Sequence, residues 1–596
     1  MRQLILSILF SLTLAQTTYY ISSSGSDANN GTSTSTPWQS WKNIYYLFTL
    51  SAGSQVLVKC GDTIPGAMYI TANGTSGSPC VFGSYGTGVR PVMLGDFSKN
   101  VWIPVTGFSG YYKTAAPKGG IISSEQYQYS GGIWHALTVM GDISPDRTTW
   151  LNSMAAGSIG PTNNQNDTIF MRSYDGTAPT AATCCLAWDG MYLNNSKYTT
   201  IRDWDLKGFH SALYMYGDTN LTIRNCFIHD NDHLAVMIHH GRYWSVDSCK
   251  VDSCAYSSFY SYLSGDGRFS YDTVTNVQNI VKGRDWGTGR ELNAFGHQGA
   301  DAYAQGNYNV KVDHCYTNNI YDSAFDSYLC DTDTLTNNNF QANQGGMYLH
   351  GKNYYIANNT ITIGTTTSTR KGVQVDGVGV GLSKILNNSF TNVVWGLAVN
   401  SLSSGATVSF SGNQITAYDA SSDLDWFNVS SGITSTGNSF CNGIGKFYSN
   451  GTEYSSLLDF QSATGYESGS NTICTTLVAT QIAINTGNNQ SATVNTAVSI
   501  APSVYVSDVS NNPVSGVSVT FAVASGGGSA TGTSQTTNGS GIATVGSWTL
   551  GSVAGTNTLT VTSTGLTGSP ITFTGTGTSS PPIVTGGRKY FGRIKR

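Results

Sequence analysis

Ten segments of this chain align so that one column keeps one chemistry. They begin at Ile201, Ile223, Val246, Phe269, Val312, Leu335, Ile356, Ile385, Phe410 and Ser435. Their fourth residues run Trp204, Cys226, Cys249, Asp272, Cys315 and then five asparagines, Asn338, Asn359, Asn388, Asn413 and Asn438. The sixth residue is apolar in every segment except the one holding Thr317. Most steps are 21 to 25 residues, with one of 29 and one of 43, and a fixed period of this size marks a solenoid whose turns stack on one another. Short runs of β-branched and aromatic residues between Gly, Asn and Ser exclude helical repeats. The Leu-x-x-Leu-x-Leu frame of a leucine-rich repeat is missing, which leaves a parallel β-helix. Coils about 4.8 Å apart bring equivalent side chains into contact, so the asparagine column predicts an amide ladder inside a turn.

Charge excludes several function classes. Charged residues are 11% of the chain and its net charge is -4, which is too little basic excess for nucleic-acid binding. Ordinary hydrophobic content and small net charge exclude global disorder. Arg2 followed by the apolar run Leu4 to Ala15 reads as a signal peptide over residues 1–16, and no later run reaches the roughly 20 residues of a transmembrane helix. Eleven cysteines leave at least one thiol unpaired in a monomer. Cys226, Cys249 and Cys315 share a column and read as stacked buried thiols, whereas Cys60 and Cys80 are the pair expected to form a disulfide. The cysteine and histidine spacings support no structural zinc site.

The rest of the chain divides by pattern. Residues 17–100 read as the cap and first coils, with a strand at Tyr19 to Ser22, a turn-rich loop from Ser24 to Thr32 and a helix from Pro37 towards Leu50. Residues 101–190 break the period and read as a β-rich insertion, and 191–476 as the main β-helix. A second interruption within 276–300 carries Lys282, Arg284, Asp285, Trp286, Arg290, Glu291 and His297; long loops on a rigid scaffold often hold chemistry. From 477 to 577 charge almost vanishes and Val, Thr, Ser and Gly alternate as in a β-sandwich. A short basic tail, 578–596, follows.

Two segments are familiar. Tyr20 to Asp27 with Asn30-Gly31-Thr32, Pro37-Trp38, Gly61-Asp62-Thr63 and Phe82-Gly83-Ser84-Tyr85-Gly86 resembles the entry segment of the secreted, pectin-lyase-like, right-handed parallel β-helix superfamily. That resemblance spans residues 17 to about 475 and implies a fold on which acidic polysaccharides are commonly cut or epimerised, although fold does not fix function. Val498 to Ile500, Val504 to Asp508, Asn512 to Phe521 and Thr537 to Ala543 resemble the bacterial immunoglobulin-like domain of invasins and intimins, which implies a spacer or adhesion module. The expected fold is all-β: a right-handed parallel β-helix followed by an immunoglobulin-like β-sandwich. Arg593-Ile594-Lys595 resembles a polygalacturonase motif but falls outside the solenoid and is set aside. The loop at Asp27 offers clustered oxygens of the kind calcium takes, or a tight turn closed by Asx hydrogen bonds, the plainer reading; no cofactor is otherwise indicated.

Period two along the strands before the aligned segments places the candidate site. With Leu213, Val236, Phe259, Ala302, Phe325, Met347 and Val373 inward, their neighbours face out, putting seven tyrosines among Tyr214, Tyr216, Met237, His239, Tyr260, Tyr262, Asp301, Tyr303, Asp326, Tyr328, Tyr348, His350, Gln374 and Asp376. Tyrosine suits sugars, since its ring stacks on a pyranose and its hydroxyl bonds sugar hydroxyls; the other reading is that residues 101–190 pack on this face. Asp301 and Asp326 on adjacent coils suit acid–base hydrolysis of a glycosidic bond, or cation binding in a β-elimination whose base is an Arg, Lys, His or Tyr; His297 and His350 flank the pair as candidate catalytic residues. Tyr214, Tyr260, Tyr262, Tyr303, Tyr328 and Tyr348 would bind glycan, and Arg290 and Lys352 would meet a uronate. The expected partner is a polysaccharide or cell-surface glycan. Two classes remain open: a secreted polysaccharide lyase or glycoside hydrolase, and a non-catalytic adhesin or phage tail spike.

Overall fold

The computed structural model describes residues 16–47, 49–95, 102–115, 126–130, 133–139, 155–156, 158–160, 168–173, 184–185, 190–231, 233–277, 280–281, 284–285, 293–298, 308–364, 371–377, 380–418, 422–429, 431–441, 445–472, 479–509, 511, 513–514, 516–537 and 541–579. The expected signal peptide up to Ala15 and the basic tail from residue 580 lie outside them. Two compact units emerge, residues 1–474 and 475–596.

The first unit is a parallel β-solenoid of about 11 turns. Each coil contributes a strand to each of three faces. The first face includes Met68–Ala72, Met191–Asn194, Leu213–Tyr216, Val236–His239, Phe259–Tyr262, Phe295–Gln298, Ser323–Asp331, Gly345–Lys352, Lys371–Gly377 and Trp395–Leu402. The second face carries the ten aligned segments, and every expected rung is present, from Ile201 beside Ile223 to Phe410 beside Ser435. The third face is a 12-stranded sheet running from Thr63–Pro65 to Ser439–Cys441. Between Leu94 and Met191 the chain leaves the solenoid and forms a seven-stranded sheet over Ile103–Cys185, then resumes with Met191 paired to Met68.

Turns dictate the asparagines. Asn337, Asn358 and Asn387 have φ of 58°, 58° and 54°, and Gly412 and Gly437 take 67° and 65° at the same position. This left-handed region favours Asn and Gly. The next residue in each coil turns inward and builds the ladder. Asn359 Oδ1 accepts from the main-chain N–H of Asn338 at 3.0 Å and from its Nδ2 at 2.9 Å, while Asn359 Nδ2 donates to Leu335 O and to Asn388 Oδ1. Asn388, Asn413 and Asn438 continue the pattern. At the last rung Asn438 Nδ2 donates to both carboxylate oxygens of Glu467, a fully buried residue that also accepts from Ser435 and Ser470 hydroxyls. Thr317, the one polar sixth residue, is buried with its hydroxyl exchanging bonds with the backbone of Gln341.

Apolar columns fill the interior. Phe259, Phe295 and Phe325 follow one another on the first face, with the Phe259 and Phe295 rings 5.4 Å apart; a buried side chain of this size contributes about 1.5–3 kcal/mol. Both ends are covered. At the entry, the helix is shorter than expected, Lys42–Leu47, because Thr49–Leu50 pairs with Thr71–Ala72 as a strand. At the exit, the helix Leu457–Thr464, capped by Ser456, seats Phe460 against Phe427 and Phe447, shielding a core that would otherwise end in open strand edges. Nothing in the repeat forecasts this exit helix.

Three local expectations are resolved. Asp27 accepts from the N–H groups of Gln39 and Ser40 and from the Ser40 hydroxyl, so its carboxylate fastens the entry loop to the segment behind Trp38. Cys226, Cys249 and Cys315 are buried free thiols. The Cys60–Cys80 disulfide is wrong: both are free, with Cys80 inside the core and the Cys60 thiol turned to Gly86 O. Cys441 is disulfide-bonded. Among the described residues no helix is long and apolar enough to cross a membrane.

The second unit is all-β with its own core. A three-stranded sheet, Gln481–Thr486, Ser503–Ser507 and Ile542–Thr544, accompanies a five-stranded one built from Gln490–Thr493, Ile571–Thr578, Gly555–Thr562, Ser518–Ser525 and Ser534–Thr536. Val504, Val519, Phe521, Trp548, Leu559 and Phe573 are buried among them.

Candidate functional site

The outward residues of the first face form two columns, because side chains two apart on a strand share a side. One column runs Tyr69, Tyr192, Tyr214, Met237, Tyr260, Gly296, Asp326, Tyr348, Gln374 and Ala398. The other runs Tyr216, His239, Tyr262, Gln298, Tyr328, His350 and Asp376. The expected register therefore holds except at one coil. There Phe295, not Ala302, is the inward rung between Phe259 and Phe325, so Gly296 and Gln298 occupy the outward places expected of Asp301 and Tyr303. The period misplaced this coil because a long excursion separates it from the next aligned segment. Asp301, Tyr303 and Arg290 lie outside the described residues.

The N-terminal half of the face is aromatic but presents few ring faces. Tyr192 is stacked between Tyr69 and Tyr214 at 4.8 and 4.9 Å. Burial, with the neighbouring phenols, pushes its hydroxyl up to about 12. Tyr214 OH meets His239 Nδ1 at 2.9 Å, and the imidazole stands edge-on to Tyr216 and Tyr262. Tyr260 is only 7% exposed although outward; its ring lies over Gly296, its hydroxyl bonds Gln298, and it clusters with Leu234 and Met237. These tyrosines spend their faces on one another, which limits the stacking surface expected of them.

The C-terminal half is where charge gathers. Asp326 accepts from Asn293 Nδ2 at 3.2 Å, and Tyr348 stands on the next coil. Tyr348 OH donates to Asp376 Oδ2 at 2.8 Å, as does Gln374 Nε2 at 3.0 Å. Burial and that carboxylate hold the Tyr348 phenol well above its ordinary range, so it acts as a hydrogen-bond donor. Tyr328 and His350 rings meet at 4.6 Å, and burial holds His350 below its usual value, in the neutral form that accepts a proton. Lys371 Nζ lies 5.2 Å from the Trp395 ring centroid and 5.9 Å from that of Tyr348; burial depresses its affinity for a proton against the opposing pull of Asp376 and Asp322. Lys371, Gln374, Trp395, Ala398 and Asn400 line a cavity of about 280 Å³.

The remaining expected residues separate. His297 is 1% exposed and faces the interior, a correction to its role as an accessible base. Its Nδ1 meets Asp333 Oδ2 at 2.8 Å and its Nε2 meets Ser264 O at 3.1 Å, while Ser327 Oγ ties Asp333 to Tyr354. Burial alone would discharge the imidazole, but the Asp333 carboxylate raises its proton affinity well above normal. Cys330 adds a third potential metal donor within 4.8 Å of the other two. The His297–Asp333 contact is a hydrogen bond that an ion would have to part, so the group reads as a polar knot inside the core. Lys352 pairs with Asp331 at 3.4 Å, away from the cavity. Sequence reasoning placed Gln374 and Asp376 on this face but missed Lys371 and Trp395, which open their strands beyond the two columns. An isolated Lys and Trp beside a strand gave no periodic signal.

Comparison with known proteins bears mainly on fold. No curated protein matches the chain. Among solved structures, the lacto-N-biosidase of glycoside hydrolase family 136 from Eubacterium ramulus shares 14% identity at a TM-score of 0.35, covering 72% of this chain and 64% of that one. Thus the chain spans less than two thirds of that enzyme's length. Pectate lyase Pel9A shares 16% at 0.33, covering 67% and 76%, and the tailspike of E. coli bacteriophage HK620, solved with a hexasaccharide, shares 9% at 0.36, covering 88% and 81%. Residues 182–289, the coils that open the regular stack, match the family model described as the right handed beta helix region.

Proposed function

We propose that the first face binds an acidic polysaccharide and that the protein modifies it at the coils carrying Asp326, Tyr348, His350 and Asp376. The observation that carries this reading is the cavity beside the Tyr348–Asp376 hydrogen bond, where a cation, an indole and an amide converge in one groove. An indole face suits a pyranose, and Lys371 suits the carboxylate of a uronic acid. Two chemistries fit these residues. In elimination, His350, shifted by burial towards its neutral form, takes the C5 proton as the bond from C4 to the leaving oxygen breaks, while Lys371 holds the carboxylate. In hydrolysis, Asp326 and Asp376 serve as acid and base. Two coil rises of about 4.8 Å and a two-residue offset of about 6.7 Å place their Cα atoms about 12 Å apart.

The adhesin or tail-spike reading is favoured by one observation, the self-stacked tyrosines, which suit a rigid holding surface as well as an active one. Export through residues 1–16 and an immunoglobulin-like spacer over residues 477–577 belong to the same proposal. The leader-like run at Leu4 to Ala15 supports the first, and the alternating Val, Thr and Ser with a separate buried core support the second.

The test is incubation with a panel of uronic-acid and neutral polysaccharides, following reducing ends and the absorbance of unsaturated uronates. Asp376→Asn and Asp326→Asn are each expected to lower turnover about 100-fold or more, and Lys371→Met to raise KM for uronate chains. Binding without either product defeats the enzymatic reading, and full activity in both Asp variants moves the chemistry elsewhere.

A further inference from the structure

The second face carries a strained aromatic feature outside the site above. Where each strand of this face begins, one residue per coil adopts the left-handed region. On successive coils these are Tyr198, Asn220, Tyr243, Asp266, Asn309, Thr332 and Asn353, with φ between 45° and 61°. Asn and Asp accept this conformation at low cost because their short side chains bond locally, whereas a bulky aromatic pays about 1–2 kcal/mol. Strain kept at particular positions points to a use for the residues that bear it. Neither tyrosine spends its ring on the core: Tyr243 is 63% exposed and Tyr198 is half-buried.

The two rings bracket a groove. They sit two coils apart, about 9.6 Å by the coil rise, with Asn220 on the coil between. Thr200, Thr222 and Ser245 form a row of half-buried hydroxyls beside them, consecutive in the strand register. Together with Pro79, Leu221 and Trp244 these residues line a cavity of about 310 Å³, and none of the described residues in its walls is charged. Two aromatic rings flanking an amide and a hydroxyl row match the amphipathic surface of a sugar, apolar on its C–H face and rich in hydroxyls at its rim. The missing charge distinguishes this groove from the one at Lys371 and Asp376.

We propose that Tyr198, Asn220 and Tyr243 form a second glycan-binding site, selective for neutral sugar residues and separate from the charged groove of the first face. The site anchors the protein to neutral stretches or branches of a glycan whether or not the first face is catalytic.

The experiment is saturation-transfer NMR of the full chain with neutral hexose and N-acetylhexosamine oligosaccharides and with oligouronates. Tyr243→Asn and Tyr198→Asn place the residue type found on neighbouring coils at the strained position, so both should fold with unchanged or raised stability. The expected result is transfer from a neutral oligosaccharide that falls at least tenfold in affinity in each variant and persists in Trp395→Ala. If neutral binding survives Tyr198→Asn with Tyr243→Asn combined, or is lost in Trp395→Ala instead, the assignment is wrong. If wild type engages only oligouronates, or nothing on the panel, the second site does not exist. The charged-groove reading fails separately, if wild type binds no oligouronate or if that binding is insensitive to Lys371→Met.

Discussion

Replacing Asn359 with Ala tests the ladder at its centre. Asn359 Oδ1 is the acceptor for the buried main-chain N–H of Asn338 and for its Nδ2. After truncation the Nδ2 still has Val312 O at 2.9 Å, but the Asn338 main-chain N–H has no other partner among the described residues. An orphaned buried donor costs about 1–3 kcal/mol, and the bonds that Asn359 Nδ2 makes to Leu335 O and Asn388 Oδ1 add roughly 0.5–1.5 kcal/mol between them after relaxation. The expected loss is about 2–4 kcal/mol. It is read as a shifted midpoint in urea at unchanged slope, since a changed slope would signal separate melting of coils. Asn359→Asp sharpens the test: the acceptors remain, but at neutral pH a carboxylate replaces the Nδ2 donor and faces Asn388 Oδ1 and Leu335 O. It should destabilise at least as much as Ala at pH 7 and recover in acid, where the carboxyl can donate. A loss under about 0.5 kcal/mol for Ala, or an Asp variant insensitive to pH, would show that the ladder is decoration on a core held by its apolar columns.

Three further outcomes are expected. Thiol labelling read by mass spectrometry should modify Cys60 in the native protein and reach Cys226, Cys249 and Cys315 only after unfolding, whereas protection of Cys60 would restore its disulfide. His229 sits in a bond pair with Asp205 and Asp230 that, against the opposing effect of burial, raises it to about 9. Its folded value exceeds the unfolded value of about 6.5, so its contribution is complete below that pH and disappears as pH rises through about 9. His229→Gln should flatten that part of the stability profile, and an unchanged profile would assign the alkaline loss to other groups. A chain ending at residue 474 should keep a cooperative β-sheet signal, because the solenoid buries its own core and has its own exit helix; loss of that signal would make the second unit part of the solenoid's fold.

The repeat made the second face legible down to single residues, because stacking forces equivalent positions to carry equivalent chemistry. Asn337-Asn338, Asn358-Asn359 and Asn387-Asn388 each encode a left-handed turn followed by a ladder rung, and the two demands leave few alternatives. The first face was legible wherever spacing stayed regular and failed at one coil, where Phe295 stands farther ahead of Val312 than the usual spacing and the expected rung fell on Ala302. His297, expected as a base, faces the interior. Disulfide pairing failed for a related reason: Cys60 and Cys80 lie near one another in sequence, but proximity along the chain says nothing about where each Sγ points. Lys371 and Trp395 escaped notice because a binding groove need not repeat, and periodicity detects only what does.

The termination of the asparagine column at Glu467 has an electrostatic consequence. Every rung points the same way, with Nδ2 towards the exit end and Oδ1 towards the entry end, so the amide dipoles align head to tail along the solenoid axis much as peptide dipoles do in a helix. Their positive end arrives at Asn438, and the buried Glu467 carboxylate sits there as the counter-charge. An anion that would be expensive in an apolar core is thereby solvated by the field of the stack above it. The column and its terminator hold each other in place: Glu467→Gln would leave the dipole uncompensated, and each rung removed from the stack would make the Glu467 charge costlier to bury.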